Sequence, residues 1–171
     1  MNWNKLFDQY LLNPDTIARP KEERLFCISI LFQQNWESDP LEQLAELRIF
    51  KATILHNIPK PSSVNGHDLG LTIFYAEGQK ALQTAVKIEK RFTHKLRVSI
   101  SYGKGLTLDS HKALHAFQAE KLNHFTNPHE LTMTNEAQKH INLPDGFGAF
   151  QASKPMQNLA GFPFWIVKDY R

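Results

Sequence analysis

The sequence predicts an α+β domain, a single sheet with helices packed mainly on one face. Two observations carry that class. Strand-like and helix-like stretches alternate along the chain rather than segregating, and one nine-residue run, "RLFCISILF", is apolar enough to be a strand buried on both faces. Length and composition agree. The chain's 171 residues suit one domain, and 42% hydrophobic with 22% charged residues is ordinary globular usage, which excludes a disordered chain. Twelve Phe and three Trp give bulk for a core.

The elements follow in order. Residues 3–12 carry Trp3, Leu6, Phe7, Tyr10 and Leu11 at helical spacing, so an N-terminal helix with one apolar face is expected. "NPDTIARPKEE" is a connecting loop broken by Pro14 and Pro20, which makes 1–21 a helix and linker ahead of a domain over 22–171. Arg24–Phe32 is the central strand. Asp39 then offers an N-cap, Pro40 the first helical position and Glu42 the capping-box partner. Leu44, Leu47, Phe50 and Ile54 at helical spacing carry that helix to about His56. A short strand is expected at Ser63–Asn65 and another at "LGLTIFYA". "EGQKALQTAVKIEKRF" puts Ala81, Leu82, Ala85, Ile88 and Phe92 on one stripe, a second amphipathic helix. "KLRVSISYG" alternates Leu96, Val98, Ile100 and Tyr102, the pattern of a half-buried strand. A third helix over Ser110–Phe125, strands at "ELTMT" and "GAFQAS", a small helix at Glu136–Ile141 and a closing strand "FPFWIVKDY" complete the chain. Strand, helix, hairpin, helix, strand is the split βαβ order, a ferredoxin-like (βαββαβ-type) sheet.

Charge and cysteine content narrow the function classes. A formal charge of +3, spread along the chain, leaves no nucleic-acid footprint. The single cysteine, Cys27, builds neither a disulfide framework nor a cysteine zinc cluster and reads as a buried strand thiol. No run approaches the roughly 18 apolar residues of a membrane span, and "MNWNKLFDQYLL" lacks a leader's basic and apolar regions, so a cytoplasmic protein without membrane partners is expected.

Several local patterns carry candidate chemistry. His111 and His115 stand four apart on the third expected helix, with His124 and His129 beyond. Without an acid to complete a zinc motif they read as exposed histidines. Lys87, Lys90, Arg91, Lys95 and Arg97 form a basic cluster that reads as a solvated face. "YGKGLTL" fails the spacing of a phosphate-cradling loop, so Gly103 and Gly105 read as a loop requirement after a strand. The C-terminal aromatics of "GFGAF" and "FPFWIV" read as core and partly interface.

Four segments, in order over most of residues 22–170, resemble class III nucleotidyl cyclase catalytic domains, the fold of adenylate and guanylate cyclases. "ISILFQQN" is similar to that family's first strand ending in "FADI", and "NGHDLGLTIF" to its "TxGDGFLAxF" hairpin. "AEKLNHFTNPHELTMTNEA" resembles "AARLxxLAxPGEILVSExx", with Leu122, Pro128, Glu130 and Leu131 in matching places, and "LAGFPFWIVKDY" resembles the terminal "LKGFxxPVxVYxV" strand. The resemblance implies two aspartates holding two divalent ions, because magnesium or manganese prefers hard carboxylate oxygens. The first falls on Gln34, a neutral amide, and the second on Asp68, which is retained. The family's ribose-orienting Asn and transition-state Arg fall on Phe117 and Lys121; Lys121 keeps the charge without the planar fork. Its base-selecting lysine before the hairpin falls near Val64, and the later lysine of "LKG" falls on Ala160.

The expectation is therefore a degenerate, catalytically inactive cyclase-like domain with no confident catalytic residue. It acts as a regulatory, dimerisation or nucleotide-binding module, with a homodimer or protein partner and a nucleotide or cyclic nucleotide as candidate ligand. Magnesium or manganese enters only if the residual site works. Asp68 is then chiefly a hairpin turn residue, with a metal-ligand role as the alternative, and Lys121 is a remnant of the transition-state site. Two other readings stay open: a weak or heterodimer-dependent adenylate or guanylate cyclase built on Asp68 and Lys121, and a decayed diguanylate-cyclase-like sensor, for which "HDLGLTIF" stands against "GGDEFxxLL".

Overall fold

The apolar run at the start of the domain becomes β1 (Lys21–Phe32), three residues longer than expected, and the sheet is built around it. The computed structural model describes residues 21–33, 39–67, 69–92, 96–107, 111–112, 114–128, 130–156 and 159–170. The expected N-terminal helix over 3–12 lies outside them.

Asp39 caps α1 (Pro40–Asn57), accepting a hydrogen bond from the Leu41 amide at 3.0 Å, with Pro40 at the helix start. β2 (Ser63–His67) and β3 (Gly70–Tyr75) form the hairpin. α2 (Gly78–Arg91) buries Ala81, Leu82, Ala85 and Ile88, the expected stripe. β4 (Leu96–Thr107) runs beyond its expected end and is joined by the two-residue β5 (His111–Lys112). α3 (Leu114–Phe125), four residues shorter at its start than expected, leads to β6 (Leu131–Thr134), α4 (Asn135–His140), β7 (Phe147–Met156) and β8 (Leu159–Asp169). The strand order is β2-β3-β1-β4-β6-β8-β7, with β5 beside β4. β1 is antiparallel to both β3 and β4, and only β4 to β6 is parallel, across the α3 crossover. This is the expected ferredoxin-like α+β arrangement extended by a C-terminal hairpin.

The main core fills the space between one sheet face and α1, α2 and α4. Phe26, Ile28, Ile30 and Phe32 of β1, with Leu96, Val98 and Ile100 of β4, meet Leu47, Phe50, Ile54 and Leu82 there. Phe50 stacks between Phe32 and Phe92, with ring centroids 5.5 and 5.1 Å away. Leu44 departs from expectation: it is 54% exposed, because α1 turns Leu47, Phe50 and Ile54 inward and Leu44 lies off that stripe.

Among the described residues, α3 is the helix that packs on the other face, over β1 and β4. β4 is therefore not half-buried as expected. Its second face, Ser99 and Ser101, is fully covered, together with Ser29, Thr72 and Thr132. The serines made this face look solvated in the sequence, whereas the structure gives them partners on α3.

Candidate functional site

The turn of the β2–β3 hairpin is held against the end of β1. The Phe32 amide donates to the Leu69 carbonyl at 2.8 Å, just past the Leu31–Gly70 pair. The approach is close enough that a Cβ at position 70 would fall onto the Ile30 carbonyl, so glycine is required there. The Lys51 ammonium reaches from α1 to the His67 carbonyl at 2.6 Å and ties the turn to the helix. Gln34 and Asp68 lie outside the described residues. The described residues at this junction, Phe32, Gln33, His67 and Leu69, include no acid, and nowhere among the described residues do three His, Cys, Asp or Glu side chains gather to hold a metal.

α3 carries the other half. Its inner side is fixed by a buried polar network. Asn123 donates from its side-chain amide to the Ser29 carbonyl and hydroxyl, both at 3.0 Å, and accepts from the Ser99 hydroxyl at 2.6 Å; Ser99 also meets Thr132 at 2.8 Å. Arg97 donates to the Asn123 carbonyl at 3.0 Å. At the second residue of the helix, His115 Nδ1 shares a hydrogen bond of 2.9 Å with the Ser101 hydroxyl. Burial pushes the His115 pKa down to about 4, since the imidazolium would lose its hydration. Gly103 makes room for this ring: a Cβ there would stand 3.0 Å from it. The small residues Ala116 and Ala119 let the helix lie close to the sheet. Cys27, fully buried beneath, has its thiol pushed well up by burial and so is an inert core group, as expected.

The outer side of α3 presents the two residues that the sequence singled out. Phe117 is 53% exposed, and the Lys121 ammonium sits 4.6 Å from the centre of its ring, a cation–π contact. Between them Glu120 turns inward, 3.4 Å from the Thr72 hydroxyl. α3 thus offers an aromatic face with a stacked cation.

Other sequence expectations are corrected. His111 belongs to β5, not to the helix, so no i, i+4 histidine pair exists, and His115 is buried rather than exposed; His129 lies outside the described residues. Of the basic residues Lys87, Lys90 and Arg91 are exposed, as expected of a solvated face, but they make separate contacts rather than one patch. Lys87 bonds the Asn57 carbonyl at 2.7 Å, Lys90 pairs with Asp169, and Arg97 serves α3; Lys95 lies outside the described residues. Gly103 and Gly105 are inside β4, and Gly103 serves the His115 contact rather than a loop. Among the C-terminal aromatics Phe164 is core, Trp165 bonds Asn135 at 2.7 Å, and Phe150 stays half exposed. A cavity of about 310 Å³ opens on the sheet face away from α3, floored by Val86, Leu131, Phe147 and Val167 and rimmed by the Lys90–Asp169 pair. Sequence reasoning missed the Asn123 network. The legible signal was the Ser29–Ser99 cross-strand pair within otherwise apolar strands, facing a helix with small residues.

No family model matches the chain, and no curated protein matches it in sequence. Solved structures do match. Adenylate cyclases from Trypanosoma brucei in their monomeric state superpose with a TM-score of 0.69 at 11% identity, over 86% of this chain and 89% of theirs. The adenylyl cyclase CyaB from P. aeruginosa gives 0.62 at 12% identity, over 90% and 98%. The guanylate cyclase domain of RhGC from Catenaria anguillulae, in complex with GTP, gives 0.65 at 11% identity, over 88% and 100%. The hairpin against β1, the α3 crossover and the C-terminal strands together make this chain a domain with the fold of class III adenylyl and guanylyl cyclase catalytic domains.

Proposed function

We propose that the chain is a degenerate cyclase-like domain, catalytically inactive, that acts as a regulatory module through dimerisation or nucleotide binding. The observation that carries this reading is the outer face of α3. Where the resemblance calls for an amide donor and a guanidinium, Phe117 offers no hydrogen bond and Lys121 is stacked on it. Transition-state donors and cationic clamps are each worth on the order of 10²–10³-fold in rate, so two such changes cost up to roughly 10⁴–10⁶-fold. Gln34 in the first metal-ligand position lowers activity further, and Asp68 is then a remnant of the hairpin. The GTP complex of the Catenaria domain supports a nucleotide as the ligand class. The half-exposed Phe117 supports a protein surface, most simply a second copy, against α3.

The test is a thermal-shift series with ATP, GTP and their cyclic monophosphates, with and without manganese, alongside sedimentation over a range of concentrations. A ligand at 100 times its Kd adds about 2.7 kcal/mol, which raises Tm by several degrees. Either such a shift or a concentration-dependent dimer is expected. A chain that stays monomeric and shifts with none of the nucleotides would overturn the regulatory reading.

A further inference from the structure

A cavity of about 310 Å³ lies between the C-terminal end of α2 and the strands β6, β8 and β7. α2 packs over β1, β3, β4 and β6, and α4 over β4, β6 and β8, so the cavity forms at the margin of the helical layer. Strand register builds its lining. Val167 and Asp169, two apart on β8, point to one sheet face beside Ala149 and Phe147 of β7, and Leu131 of β6 pairs with Val167 on the other side. Val86, Leu131, Phe147 and Val167 make an apolar floor, with the Asp169 carboxylate at its edge. The volume is at the small end of the range of about 300–1,000 Å³ typical of ligand pockets.

The charges at the mouth decide what fits. The Asp169 side chain is 12% exposed, whereas that of its partner Lys90 is 53% exposed and reaches it from the solvent side at 2.5 Å. Glu89 adds a second carboxylate to the rim. Lys168 contributes to the wall, but its ammonium lies 5.8 Å from the centre of the Phe150 ring, and both residues alternate onto the other sheet face. An enclosed carboxylate beside apolar side chains requires a cation. Lys90 is a replaceable one, because releasing a half-exposed lysine into water restores its side-chain freedom and forfeits a weak pair. We propose that this cavity binds a small protonated amine with an apolar body, its ammonium taking the place of the Lys90 ammonium at Asp169. The apolar body covers the floor, removing it from water. An anion of the same shape meets Asp169 and Glu89 as like charges and is rejected. The cavity is on the face opposite α3, so its occupancy is independent of any partner held there.

The experiment titrates the full chain at neutral pH with phenethylamine, and with phenylpropionate and phenylethanol as its anionic and neutral counterparts, following backbone amide shifts by two-dimensional NMR. Saturable phenethylamine binding is expected, with a Kd on the order of 1 mM or tighter and shifts centred on Leu131, Phe147, Val167 and Asp169. Both counterparts should bind about tenfold more weakly or not at all. Asp169→Asn should weaken phenethylamine binding by about tenfold. Lys90→Met removes the competing ammonium and leaves the floor intact, so it should tighten binding several-fold; it decides the matter alone if Asp169→Asn fails to fold. Equal binding of the three compounds overturns the proposal, as do shifts centred away from these strands. Absence of saturation in both the native chain and Lys90→Met overturns it too, and so does binding that Asp169→Asn leaves unchanged in a folded chain.

Discussion

Asn123 and His115 decide where α3 sits, and each makes a measurable claim at the scale of one residue. Asn123 is buried and its amide makes three hydrogen bonds, so Asn123→Ala removes the Ser29 hydroxyl's partner on α3 and leaves Ser99 with Thr132 alone. Buried polar groups left unpaired cost about 1–3 kcal/mol each, so the variant should lose about 3 kcal/mol in urea unfolding with an unchanged m-value. His115 ties stability to pH. Its folded pKa is depressed to about 4 against about 6.5 in the unfolded chain, so the unfolded state binds the extra proton between those values. The stability it contributes is present above pH 6.5 and is lost as pH falls toward 4, a total of about 3 kcal/mol. Unfolding curves between pH 7 and 4 should show that loss in the native chain and a shallower one in His115→Gln. Equal slopes in both would remove His115 as the cause. Neither residue was legible in the sequence. An asparagine and a histidine on a helix look like surface groups until three serines on the facing strands are seen to need partners.

Single elements were more readable, for local reasons. The cap of α1 was legible because Asp39 at the N-cap and Pro40, with its fixed φ, at the first helical position mark a helix start locally, and the Asp39 carboxylate does accept from Leu41. Asp39→Ala should therefore cost about 1 kcal/mol by chemical denaturation, with helix content otherwise retained. A loss within error would mean that the first turn is held by packing instead. α2 was legible from its stripe because one face is core and the other water. α1 misled at Leu44 for the converse reason, since apolar residues all around a helix hide which side meets the core. β4 misled because alternation of apolar residues with serine reads as burial on one face. Whether the serine face is wet depends on α3, which lies elsewhere in the sequence and packs there through Ala116, Ala119 and Asn123.

The whole molecule has the scaffold of the cyclase fold. The strand order and the β4–α3–β6 crossover match domains at 7–14% identity over 85% or more of the chain. This much was legible because fold depends on the apolar pattern and on turn chemistry, which tolerate wide divergence. Of the expected site, the identities at Gln34, Asp68, Phe117 and Lys121 were legible as soon as the four segments were aligned. The stacking of Lys121 on Phe117 was not, because it depends on side-chain conformation on the finished helix. Among the described residues no helix is long and apolar enough to cross a membrane. The most direct test of the proposed inactivity is a product assay: the full chain incubated with ATP or GTP and manganese, with cyclic nucleotide measured against a no-enzyme blank. The account predicts no product above that blank. Cyclic nucleotide formed by the chain and abolished by Asp68→Ala would contradict it.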